Sequence, residues 1–201
     1  QDRPPGFGRR STVAFPRAVW LLAVLLPALP WALAQEPFTK VTTVPIATDS
    51  EASVSGAWAD YDNDGLLDLF VANALALGGG ARNSLYRNLG GDQFVRVNNA
   101  LTTSVRVSWH GQWADYDNDG DLDLFVVHPF LSSLATAKKE LFRNDGGGLF
   151  TPITNALTTL AAHLTDASWI DLDRDGWLDL FVAAQSFNGS APNDFFFRNL
   201  G

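Results

Sequence analysis

Short apolar runs alternate with polar, turn-forming stretches along most of the chain, and the runs return at a fixed interval. Leu69-Phe70-Val71, Leu124-Phe125-Val126 and Leu180-Phe181-Val182 each follow an Asp- and Gly-rich stretch that opens at Trp58, Trp113 or Trp169. Those tryptophans are 55 and 56 residues apart. A second block recurs in the same phase as Asn83-Ser-Leu-Tyr-Arg-Asn88, Lys139-Glu-Leu-Phe-Arg-Asn144 and Asp194-Phe-Phe-Phe-Arg-Asn199. A third recurs as Phe94-Val-Arg-Val97 and Phe150-Thr-Pro-Ile153. Runs of this length, rich in aromatic and β-branched residues and punctuated by Gly and Asn, predict strands rather than helices. Self-similarity at this period marks a repeat architecture. Each unit reads as four antiparallel strands: one into the Trp, one over Leu-Phe-Val, one carrying Arg-Asn and one over Phe-x-x-Val/Ile. The predicted class is all-β, a propeller of four-stranded blades, of which about three are present. The repeats fall at about 53–98, 108–154 and 165–201, the third ending before a fourth strand. Residues 36–44 read as an orphan outer strand, because Phe38 precedes Trp58 by 20 residues while Phe94 and Phe150 precede their tryptophans by 19.

One apolar run breaks the interval. Ala18 to Ala34, 17 residues, follows a segment with Arg3, Arg9, Arg10 and Arg17. A basic stretch, an apolar run and the small-x-small pattern Ala32-Leu33-Ala34 read as an export signal over residues 1–34, cut after Ala34. Pro27 and Pro30 suit a helix crossing roughly 30 Å of hydrocarbon poorly, so a membrane anchor is disfavoured. Residues 35–201 would then be secreted, extracellular or periplasmic, with no membrane span after cleavage.

Composition narrows the class further. With 46% hydrophobic residues and no Cys among 201, disorder, a disulfide scaffold and a thiolate zinc site are excluded. A net charge of -8 argues against nucleic acid as a partner, since phosphate binding is driven by Lys and Arg. The absence of Met reads as a fragment of a longer protein. An open arc of blades expressed alone is expected to aggregate through its exposed faces.

The acidity is concentrated in the repeats: Asp60, Asp62, Asp64 and Asp68; Asp115, Asp117, Asp119 and Asp123; Asp171, Asp173, Asp175 and Asp179. These are twelve of the 22 acidic residues. Carboxylates so closely spaced repel one another unless they enclose a cation. Oxygen donors at alternate positions, a turn glycine and one backbone carbonyl (Leu66, Asp121 or Trp177) fit calcium better than magnesium, and zinc would call for nitrogen or sulfur. An EF-hand is excluded: position twelve of its loop falls on Val71, Val126 and Val182, and the flanks are strands. About three Ca2+ ions are expected.

The Asp-x-Asp-x-Asp-Gly-x-x-Asp motif within such a repeat resembles the FG-GAP and VCBS repeat family of integrin-alpha-type propellers, over residues 36–201, and the Arg-Asn block is similar to that of bacterial secreted members. The resemblance implies calcium with a structural role in the loops, and usually seven blades.

Strand alternation places the acidic loops on one side of the disc and the more variable connections on the other, where a partner would be sought. That side holds residues 44–54, 73–82, 99–108, 128–138, 155–165 and 184–193, with Trp109, His110, His128, Phe130 and His163. Trp58, Trp113 and Trp169, being in phase, are expected to pack between blades. Trp109 and Trp177 break the phase and are weak recognition candidates, and Asn188-Gly-Ser190 fits a glycosylation sequon. No catalytic constellation stands apart from the acidic loops. The leading expectation is a non-enzymatic module that binds an extracellular protein or glycan. The alternatives are the propeller portion of a larger secreted enzyme and an architectural repeat of a surface protein.

Overall fold

Each Trp-ending run pairs with the Leu-Phe-Val run after it as an antiparallel hairpin, in one register: Trp58 faces Leu69, Trp113 faces Leu124 and Trp169 faces Leu180. The computed structural model describes residues 38–74, 80–128, 139–160, 162–185 and 194–201. The expected leader, Phe130 and the Asn188 sequon lie outside these residues. Strands β1 (Ser53–Ala59), β2 (Asp68–Asn73), β4 (Ser84–Asn88) and β5 (Phe94–Val97) form the first four-stranded sheet in that order, with β3 (Ala81–Arg82) apart from it. After β6 (Val105–Arg106), strands β7 (His110–Ala114), β8 (Asp123–Val127), β9 (Lys139–Asn144) and β10 (Phe150–Ile153) form the second. Strands β11 (Leu164–Ile170), β12 (Asp179–Ala184) and β13 (Phe195–Phe197) form the third, of three strands. The fold is all-β, with antiparallel sheets of propeller-blade type. No helix among the described residues is long and apolar enough to cross a membrane.

Two apolar cores hold the blades together, each at a joint between successive sheets. Phe70 and Leu85 of the first blade meet Leu124, Val126, Phe142 and Phe150 of the second. Phe125, Val127 and Leu141 of the second meet Leu164, Ala167, Leu180 and Val182 of the third. Both joints use the same aromatic pair. Tyr61 stacks on Trp113 at 6.3 Å and 11°, and Tyr116 on Trp169 at 6.4 Å and 20°. Phe70 and Phe125 meet the same two indoles edge-on, both at 6.4 Å. Two glycines admit this approach. A Cβ on Gly111 would lie 2.7 Å from the Phe70 ring, and one on Gly148, whose φ of +77° already disfavours a side chain, would lie 2.6 Å from Tyr61.

Several expectations are corrected. Residues 38–42 form no strand, and Phe38 is 89% exposed, because an isolated strand has no ladder to satisfy its backbone. Trp58 shares the phase of Trp113 and Trp169 but is 52% exposed, with Phe94 against it edge-on at 6.2 Å. Its outward side meets no preceding sheet among the described residues. The connections between blades are less variable than expected: Asn99-Ala-Leu-Thr-Thr returns as Asn155-Ala-Leu-Thr-Thr. The first copy forms helical turn α2 (Ala100–Thr103) with a capping box between Asn99 and Thr102, and the second repeats the reciprocal bonds between Asn155 and Thr158. Leu101 and Leu157 are thereby driven into the two cores. A further turn, α1 (Pro45–Thr48), precedes the first blade, with Val44 buried beside it. The β3–β6 ribbon, Ala81 facing Arg106 and Arg82 facing Val105, ties the first blade to the connection entering the second.

The joints predict unequal costs for one substitution made in three repeats. Phe70→Ala and Phe125→Ala, at residues 1% and 0% exposed, should each lower the unfolding free energy by about 3–5 kcal/mol in denaturant titrations. Phe181→Ala, at the same position of the third blade but 40% exposed, should cost about 1 kcal/mol or less.

Candidate metal centres

The turn between the first and second strands of each blade is built by carboxylates folded back onto the backbone. Asp60 accepts the N–H of Asp64 at 3.0 Å and of Gly65 at 2.9 Å through its two oxygens, and Asp64 accepts that of Leu66 at 3.0 Å. The second loop repeats this with Asp115 to Asp119 and Gly120, both at 3.0 Å, and Asp119 to Asp121 at 2.9 Å. The third does so with Asp171 to Asp175 and Gly176 at 3.1 and 3.2 Å, and Asp175 to Trp177 at 2.9 Å. Asn63, Asn118 and Arg174 take left-handed φ values of 58°, 57° and 62° at the apex, which doubles the chain back so that alternate carboxylates face one interior.

The last aspartate of each motif opens strand two and is 1% exposed in every blade. Asp68 accepts the N–H of Tyr61 at 3.3 Å and of Asn88 at 2.7 Å. Asp123 accepts those of Tyr116 and Asn144 at 3.1 and 2.8 Å, and Asp179 those of Leu172 and Asn199 at 3.4 and 2.9 Å. Carboxylate oxygens of Asp60, Asp62 and Asp68 all lie within 4.8 Å of one another, as do those of Asp115, Asp117 and Asp123. In the third loop the group is Asp171, Asp173 and Asp175, without Asp179. Asp64 and Asp119 stand outside the first two groups. At the expected carbonyl positions, Leu66, Asp121 and Trp177 donate their N–H groups into the turn.

Proximity without a counter-charge is costly. Burial, reinforced by the charges of Asp62 and Asp64, pushes the Asp68 carboxyl up to about 6. Burial and the charges of Asp117 and Asp119 push Asp123 up to about 7, against the two N–H bonds it accepts. Asp117 is raised as well, by burial and then by Asp119 and Asp115. One oxygen of Asp62 and one of Asp117, both Oδ1, are buried with no hydrogen-bond partner. Three clusters of carboxylate oxygens, two of them with an unsatisfied buried oxygen, could hold metal ions and are compatible with Ca2+.

The Arg-Asn pair, read from sequence only as a strand, proves to be the support of these loops. Asn88, Asn144 and Asn199 each donate Nδ2 to the carbonyl before the strand-two aspartate, at Leu67, Leu122 and Leu178. Each also accepts the N–H of the glycine two residues on, Gly90, Gly146 or Gly201. Asn144 reaches the Tyr61 carbonyl of the preceding blade at 2.7 Å, and Asn199 reaches that of Tyr116 at 2.7 Å. The loops also touch directly: Asn63 donates to Asp121 Oδ1 at 2.8 Å, and Asn118 to the Gly176 carbonyl at 2.9 Å. The signal available in the sequence was the in-phase recurrence of Arg-Asn.

The other candidates separate. Trp109 is 40% exposed at the edge opposite the acidic loops, and His110 beside it lies 3.6 Å from Asp166 of the neighbouring inner strand. His128, expected on the recognition side, is 3% exposed and enclosed by Ser108, the Val107 carbonyl and Glu140 Oε2, the last at 3.0 Å. Glu140 also pairs with Arg106 at 2.9 Å; burial opposes its charge, but His128 and Arg106 hold it below the usual carboxylate range. This charged knot fixes His128 as a structural group rather than a contact residue. Lys139 is likewise buried, its ammonium donating to the Leu160 and Ala162 carbonyls, and burial lowers it to about 8. Trp177 is half-buried, its indole against Gly201.

The FG-GAP-like repeat pattern matches residues 73–126 and 132–182, just over half of the 201 residues. The first match begins at the end of strand two of the first blade, and both matches end in strand two of the following blade, so the recurring unit straddles a joint. No curated protein matches the chain.

Two outcomes follow from this geometry. Asn144→Ala should cost about 2 kcal/mol in chemical denaturation, because it orphans the buried Tyr61 carbonyl, and Asn88→Ala, for which no bond to another blade is described, should cost measurably less. An unfolded Asp titrates near 3.9, so between about pH 4 and pH 7 the metal-free fold binds more protons than the unfolded chain. Its stability in chelator should therefore fall as the pH rises across that window, and thermal melts at stepped pH check the sign.

Proposed function

Because this chain belongs to the FG-GAP-like repeat family, we propose that it serves as a secreted, calcium-stabilised propeller module that binds an extracellular protein or glycan and carries out no chemistry of its own. The observation that carries the calcium part is the pair of buried, unpartnered oxygens, Asp62 Oδ1 and Asp117 Oδ1, each within a three-carboxylate group. A divalent cation supplies the counter-charge and a coordination partner for the unpartnered oxygens at once. Asp60, Asp62 and Asp68 would hold it in the first loop, Asp115, Asp117 and Asp123 in the second, and Asp171, Asp173 and Asp175 in the third. Its role is structural: the loops it fills already pin strand two to strand three and one blade to the next. The recognition part is supported by the exposed Trp109 indole beside His110, on the edge where no acidic loop lies. The apolar run and small-x-small site before residue 35 support export.

Calcium at about 100 times its dissociation constant should stabilise the fold by about 2.7 kcal/mol per site and raise the melting temperature, reversibly on adding EGTA. Magnesium should do less, since it gives up its water reluctantly. An unchanged melting temperature in calcium and in EGTA would overturn the reading.

A further inference from the structure

We infer that the first and second acidic loops differ in cation affinity, the second binding more tightly, and that Asp145 sets the second apart by holding Arg143 off its carboxylates. The inference rests on the cation reading above and concerns what regulates those sites.

The third strand of every blade presents one arginine in the same register: Arg87, Arg143 and Arg198. In the first blade, Arg87 Nε lies 2.5 Å from Asp62 Oδ2 and Nη2 lies 3.0 Å from Asp64 Oδ2. The guanidinium thus supplies the acidic loop with part of the positive charge that a metal would bring. In the third blade, Arg198 Nη1 reaches Asp173 Oδ2 at 3.3 Å, a single and more exposed contact. The second blade differs. Arg143 Nε donates to Asp145 Oδ1 at 2.7 Å, and Thr151 Oγ1 donates to the other oxygen of Asp145 at 2.5 Å.

This difference is written in two sequence positions. The residue after Arg-Asn is Leu89 in the first repeat, Asp145 in the second and Leu200 in the third. The cross-strand partner of the arginine is Val95 in the first blade and Thr151 in the second. The second blade therefore has both parts of a latch for its arginine, and the first has neither. The backbone is the same at both places, with Leu89 N–H donating to Gln93 at 2.7 Å and Asp145 N–H to Leu149 at 2.8 Å. The side chains alone decide where the guanidinium goes.

A dication entering the first loop must compete with a guanidinium hydrogen-bonded to Asp64 and ion-paired with Asp62. One entering the second meets three carboxylates whose charge is not compensated in this way. The first loop remains a site, because Asp62, with its side chain 9% exposed, keeps Oδ1 buried and unpartnered even with Arg87 on Oδ2.

The test titrates Ca2+ alone into the full chain and follows the amide resonances of Gly65, Gly120 and Gly176, one in each loop. Gly120 should respond at lower calcium than Gly65. Asp145→Leu should raise the Gly120 midpoint about tenfold and leave Gly65 in place. Leu89→Asp with Val95→Thr should lower the Gly65 midpoint by a similar factor, a gain that misfolding cannot produce. Equal midpoints in the unmodified chain, or midpoints that neither variant moves, would refute the inference while leaving the cation reading intact. No response at any of the three glycines would refute the cation reading itself.

Discussion

A single buried carboxylate per blade, at the first residue of strand two, is the constraint on which the rest depends. Asp68, Asp123 and Asp179 each accept one N–H from the acidic loop and one from the asparagine at the end of strand three or just past it. That places the loop over its own sheet. It also places the following asparagine, which in the second and third blades reaches the carbonyl of a tyrosine one blade back. The same tyrosine presents its ring to the next indole. Charge, hairpin, sheet and joint are therefore fixed by one group, and in the first two blades that group sits among like charges in a water-poor site. A buried anion held by two N–H groups is tolerable, but three carboxylates within 4.8 Å are a standing cost unless a cation offsets them.

Much of this was legible in the residues because it is local. The alternation of Asp along the turn, the glycine at its bend and the Leu-Phe-Val strand all act within about ten residues, and three in-phase copies removed the ambiguity of any one. Contacts across blades were not legible. Nothing in the composition of Arg-Asn indicates that Asn144 will meet Tyr61, since the bond spans 83 residues. His128 looked like a surface histidine in a variable segment because its partner Glu140, itself paired with Arg106, meets it only in space. Trp58 and Phe38 show the reverse error. Both repeat a pattern faithfully, but a repeat position packs only where a neighbouring sheet supplies the other half.

The repeats are also not interchangeable. Position 83 is an asparagine whose Oδ1 caps the end of β2, position 139 a lysine that straps the connection into the third blade, and position 194 an aspartate that accepts the Ala184 N–H. One strand start thus performs three tasks in three blades. The backbone frame tolerates this because the hydrogen-bonded ladder does not use these side chains, which leaves them free to diverge while the loop aspartates stay in phase.

The bond from Asn144 back to the Tyr61 carbonyl has a consequence for the order in which the molecule is made. A chain synthesised from its N-terminus completes the first acidic loop and its sheet well before Asn144 exists, and ordering over so long a span carries a loop-closure cost that the early chain cannot recover. The first blade therefore spends part of synthesis with its tyrosine carbonyl and ring unclaimed, and the second inherits that state until Asn199 arrives. Maturation passes along the arc one joint behind synthesis, so that each newly made blade finishes its predecessor rather than itself.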